Sequence, residues 1–172
     1  MNQKYFYISI FLIFAMFLSG CDSIIVGNPE IDVELETKRV KDALLDFWSF
    51  IDSQDRCASA WACAPDNALG NPARDEFVEP YFDSIDLLKQ ICPNVVIDVY
   101  AYIRDISFVW DEEGDPRAIV DIQVNRIVMG CGDLNSTKAE FGTMELTYCY
   151  VGYYDEGWYI DKVDIDLVDT DF

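Results

Sequence analysis

Histidine is absent from all 172 positions of this chain, and only 12 lysines and arginines stand against 32 aspartates and glutamates. The first absence removes Ser-His and Cys-His nucleophile pairs, imidazole metal ligands and a histidine general base. No Ser-x-x-Lys motif offers a lysine-based substitute, and no glycine-rich phosphate loop is present. The second scarcity leaves a net charge of −20, which sets the surface against nucleic-acid phosphates and anionic lipid headgroups. Cys-x-x-Cys spacing is also missing, so the six cysteines do not suggest zinc. No internal repeat or low-complexity run breaks the chain, and no apolar run reaches the ~20 residues a bilayer-spanning helix requires. No cofactor, metal ion or nucleic-acid partner is expected.

What the sequence does have begins at its start. Lys4 precedes a fourteen-residue apolar run from Tyr5 to Leu18, the size of an export-signal core. Leu18-Ser19-Gly20-Cys21 then resembles the lipobox of bacterial lipoprotein precursors. In that family the cysteine thiol takes a diacylglyceryl group, the peptide before it is removed, and the new amino terminus is acylated. The resemblance implies a cleaved signal over 1–20, a lipid on Cys21 and a tether over 21–33. Two or three acyl chains anchor a protein stably where one does not. Asp22 resembles the signal that retains such proteins at an inner membrane, with the domain on the periplasmic side. The implied mature chain is 152 residues carrying −21, enough for one domain with one core.

Export into an oxidising compartment permits disulfides. With Cys21 consumed by lipid, five cysteines remain, an odd number, so two internal bridges are the most the chain can form. Cys57 and Cys63, in one loop, are the easiest local pair; Cys92, Cys131 and Cys149 are not assignable from sequence.

The domain, 34–172, reads as helices followed by strands. Asn28-Pro29 makes a good helix start. Val40, Leu44, Phe47, Trp48 and Ile51 then share one face at helical spacing to about Ser53, with Lys38 and Asp42 placed to pair on the polar side. An alanine-rich stretch over 56–64 forms a short helix. A second amphipathic helix runs from about Asp75 or Pro80 to Ile91, with Phe82, Ile85, Leu88 and Ile91 at helical spacing, and Pro80 either starts it or kinks a longer one. Beyond Pro93 the period changes to two. Val95, Ile97, Val99, Ala101 and Ile103 alternate, and the strand continues with a bend through Ile106, Phe108 and Trp110. The run 111–115 is an acidic turn without calcium-loop order. Ala118 to Val124 and Met144 to Tyr150 supply two further strands, separated by a loop over 130–139. A tight turn at Asp155-Glu156-Gly157 precedes the last, where Trp158 and Ile160 fall on one parity and Val163, Ile165 and Leu167 on the other. A β-bulge near Asp161-Lys162 reunites them. The expectation is an α+β fold, its helices packed on a curved antiparallel meander.

Phe47 to Asp55, the stretch 115–120 and the closing Glu156-Gly157-Trp158-Tyr159-Ile160-Asp161 together resemble the cone-shaped fold shared by nuclear transport factor two, ketosteroid isomerase and scytalone dehydratase. That resemblance implies a pocket between sheet and helices, and it leaves the chemistry open, since the same cone hosts enzymes, binders and dimerisation modules. Tyr148, Tyr150 and Trp158 are candidate pocket or interface residues, for a small apolar ligand, a protein partner or a second copy joined through the open sheet face. No residue is assigned a catalytic role. The alternative, an isomerase or dehydratase using an Asp base and a Tyr donor in an apolar pocket, draws on Asp98, Asp121, Tyr100, Tyr102, Tyr148 and Tyr150. The preferred reading is a membrane-anchored envelope lipoprotein that binds without catalysis.

Overall fold

A computed structural model describes residues 32–65, 70–111, 114–149 and 156–167. The expected export signal over 1–20, Cys21, Asp22 and Tyr150 lie outside the described residues.

Helix α1 spans Val33–Asp52. It starts later than Asn28-Pro29 suggested, because Asp32 is the N-cap: its extended backbone turns the chain, and its carboxylate accepts the Leu35 N–H at 3.1 Å. Val40, Leu44, Phe47, Trp48 and Ile51 form its buried stripe, as the spacing required. The ion pair on its polar side is Glu36 with Arg39, 2.8 Å apart, and Lys38 does not reach Asp42. Helix α2 (Arg56–Trp61) follows a sharp turn in which Asp55 accepts the Ala58 N–H. A π-helical stretch, Ala73–Val78, then runs directly into α3, Glu79–Ile91. Pro80 lies at this junction. It has no N–H to bond the carbonyl four residues back, and the Glu79 N–H instead reaches the Arg74 carbonyl five residues back. Pro80 therefore marks a change of pitch inside a longer helical run. Tyr81, Phe82, Ile85 and Leu88 face inward, whereas Ile91 at the end is exposed.

Four strands follow in a simple antiparallel meander, β1 (Val96–Trp110), β2 (Pro116–Met129), β3 (Ser136–Cys149) and β4 (Gly157–Asp164), neighbours in space in that order. This is the α+β arrangement expected, helices first and one curved sheet after them. Two bulges bend the sheet. Arg104 is skipped between the pairs Ile103↔Ile122 and Asp105↔Asp121. Asp161 is skipped between Glu145↔Lys162 and Leu146↔Ile160, at the position where parity required an extra residue. With that residue absorbed, Trp158, Ile160, Ile165 and Leu167 are all buried on one face, and Val163 packs against the same core. β3 starts at Ser136, earlier than the loop over 130–139 allowed. Ser136 to Lys138 pair with Val128 to Arg126, and such backbone pairing leaves no apolar alternation to read.

One face of the sheet carries the core with α1 and α3: Ile97, Val99, Ala118, Val120, Ile122, Val124, Met144 and Leu146 are buried there. Gly142 belongs to this face, opposite Ile122, and a Cβ on it would sit 2.0 Å from the Asp164 carbonyl oxygen and 2.7 Å from the Ile165 side chain. Only glycine lets the end of β4 cross so close to β3. The C-terminus of α1 is tied to the free edge of β1, where Asp52 accepts the Val99 N–H at 2.6 Å. The free edge of β4 is covered by the segment after α2: Ala64 donates to the Ile160 carbonyl at 2.7 Å and Ile160 to that of Ala62 at 3.0 Å, a one-residue parallel bridge between Cys63 and Ile160.

The disulfide joins Cys92, just after α3, to Cys131, just after β2, with Cα atoms 5.7 Å apart. Cys57 and Cys63 are not bridged, which corrects the pairing expected from their proximity in sequence. Cys57 lies on the exposed side of α2, while Cys63 is buried beyond its end and donates to the Ser59 carbonyl at 3.4 Å. Helix geometry turns the two thiols to different environments. Gly157, expected in a positive-φ turn, is instead the first residue of β4, paired with Cys149.

Candidate functional site

The concave face ends at the hairpin side in three aromatic rings. Tyr148 and Trp158 are cross-strand partners on β3 and β4, meeting edge to face at 5.3 Å, and Phe108 of β1 lies 5.7 Å from Trp158. The first turns of α1 close over them: the Trp158 indole N–H donates to Glu36 at 2.7 Å. The Tyr148 hydroxyl donates to Glu156 at 2.8 Å. Burial, and then the bond to that carboxylate, pushes the Tyr148 phenol up to about 12. It therefore stays protonated through the physiological range.

Two adjoining pockets open here and share Gly157 and Trp158. The first, about 320 Å³, is lined by Arg39, Asp42, Tyr148, Glu156, Gly157 and Trp158. The second, about 490 Å³, runs between α1, α2 and the start of β4. Its floor is made of small residues, Ala43, Ala58, Ala62 and Gly157; Phe50, Trp61, Trp158 and Tyr159 supply aromatic surface, and Asp46 its charge. Asp42, Ala43, Asp46 and Phe50 recur at helical spacing beside the buried stripe of α1, so one helix presents its core with one face and the cleft with the next. Trp61 remains 62% exposed at the end of α2.

The sequence singled out Tyr148 and Trp158, and both line this cleft. It did not single out Trp61, Phe50, Asp42 or Asp46 as site residues. Their signal was available in the second stripe on α1, but a lone aromatic on a short alanine-rich helix has no periodicity to betray it. Asp98, Tyr100, Tyr102 and Asp121 lie on the other face of the sheet, which no element of the described residues covers, since their strand neighbours Ile97, Val99, Ala101, Val120 and Ile122 point to the core. The fold therefore does not bring these aspartates to Tyr148. On that face Tyr102, Gln123 and Phe141 form one cross-strand row, with the Arg104 guanidinium 5.3 Å above the Phe141 ring. Among the described residues no cluster of three or more carboxylates, cysteines or histidines is placed to hold a metal ion.

No protein-family model matches the chain, and no curated protein sequence matches it. Among solved structures, ActVI-ORFA from Streptomyces coelicolor is similar at 13% sequence identity and a TM-score of 0.46, the match covering 73% of this chain and 92% of that one. A likeness of this degree assigns neither family nor activity.

Proposed function

We propose that this chain is an envelope lipoprotein, held to its membrane by lipid on Cys21, whose single domain binds a ligand in the cleft between α1, α2 and β4 without transforming it. The cone-shaped fold is part of the proposal: it is supported by the resemblance noted in the sequence and by the order of helices then meander. The observation that carries the binding reading is the lining of the cleft. Small residues leave a hollow, five aromatic side chains surround it, and the few polar groups present are carboxylates, one arginine and two phenols. Arg39 is held by Glu36, and the Tyr148 hydroxyl donates to Glu156.

Thermal unfolding of the full chain in a non-ionic detergent, followed by tryptophan emission against a panel of small organic compounds, tests this. A compound that binds the folded state raises the midpoint. The expected result is a set of compounds that do so for the native chain and not for Ala58→Trp, which fills the hollow. Equal responses from both proteins would remove the cleft from the account.

A further inference from the structure

Asp42 and Asp46 stand one turn apart on the cleft side of α1, an arrangement of like charges that destabilises a helix when nothing answers it. No cation of the described residues comes within ion-pair distance of either. Arg39 is held by Glu36 at 2.8 Å, and Lys38 and Lys41 line a different pocket with Val33, Glu34 and Thr37. The charged groups lining the cleft are thus Asp42, Asp46 and Glu156 against Arg39, an excess of two negative charges beside a wall of indole, phenyl and phenol rings.

From this juxtaposition, and resting on the reading of the cleft as a binding site, we infer that its ligand is a small organic cation with an apolar body, an aryl- or alkylammonium compound. Its apolar part lies over the alanine and glycine floor between Trp61, Tyr159 and Phe50, and its ammonium sits between the aromatic faces and the carboxylates of Asp42 and Asp46. Aromatic faces attract cations through their quadrupole, and a weakly hydrated organic ammonium gives up less water than a metal ion to enter such a site. A calcium-like ion would need six to eight oxygens, which this cleft does not supply. An anionic ligand is repelled by the same excess charge.

The test is calorimetric titration of the full chain, in a non-ionic detergent at pH 7, with three near-isosteric probes: 2-phenylethylammonium, neutral 2-phenylethanol and anionic phenylacetate. The ammonium is expected to bind about tenfold more tightly than the alcohol, an advantage of about 1.4 kcal/mol, with phenylacetate weakest. Screening predicts that this advantage narrows as salt is raised from about 0.05 to about 0.5 M. In the double variant Asp42→Asn and Asp46→Asn the ammonium loses its advantage while the alcohol binds as before. Far-UV circular dichroism establishes that the variant is folded, and Asp46→Asn alone serves if the pair is not. Equal affinity for ammonium and alcohol overturns the cation assignment and leaves the cleft as a neutral site. Failure of all three probes to bind overturns the cation assignment and the binding reading together.

Discussion

At the scale of single residues, the contacts that matter most are those where one atom more or less decides the outcome. Gly142 is the sharpest case. Its second Cα hydrogen stands where a Cβ would drive into the Asp164 carbonyl, so Gly142→Ala must push the end of β4 off the sheet. Urea unfolding of this variant is expected to show a loss of about 1–3 kcal/mol, the range for overpacking a tight site. The cysteines make a second case. Burial raises the Cys63 thiol to about 12, whereas Cys57 is exposed on α2. Alkylation at pH 8 followed by peptide mass analysis should label Cys57 fast and Cys63 slowly, and leave Cys92 and Cys131 untouched until a reductant is added. The raised values also fix a pH dependence. An unfolded thiol or phenol loses its proton near its ordinary value, while folded Cys63 and Tyr148 keep theirs to about 12. The folded state then binds more protons, and stability falls as pH rises from about 9 towards 12. Alkaline titration of the unfolding midpoint should show this decline, and Tyr148→Phe should make its upper part shallower.

At the scale of elements, the bulge at Asp161 is the device on which the closing strand depends. It carries Trp158 and Ile160 on one side of a skipped residue and Val163, Ile165 and Leu167 on the other, yet all five reach the core. Deleting Asp161 removes only the unpaired residue, so Ile160 adjoins Lys162, the pairing with β3 is kept and all five stay on one face of an unbulged strand. The expected product is a soluble chain that keeps a single cooperative unfolding transition; a deletion variant that loses the transition and aggregates would refute the register. This bulge was legible in the sequence because apolar residues switched parity at a single point. The α1 stripe and the change of period at Pro93 were legible for the same reason: burial writes itself as periodicity. Other features have no such trace. Ser136 to Lys138 pair through backbone alone, and the Asp52 carboxylate finds the Val99 N–H from 47 residues away. The Cys92–Cys131 bridge spans 39 residues and forms because β1 and β2 pair, which brings the end of α3 to the end of β2. The local choice of Cys57 with Cys63 failed on helix geometry, not on distance along the chain. Of the cleft, the residues on alternating strands could be read and those on the short helix could not.

At the scale of the whole molecule, a strongly acidic surface surrounds a domain whose uncovered sheet face shows tyrosines and Phe141, and whose cleft gathers aromatic rings under carboxylates. Its charge gives such a domain no electrostatic hold on an anionic membrane, and the anchor we propose is the lipid on Cys21. We propose that the domain works at a membrane because lipid is attached to the Cys21 sulphur. Intact-mass analysis of the protein purified from bacterial membranes tests it most directly. The expected species is a polypeptide that begins at Cys21, heavier than its amino-acid mass by a diacylglyceryl group and, after further acylation, a fatty acid. A chain that still carries Met1, or that begins at Cys21 with an unmodified thiol, would contradict it.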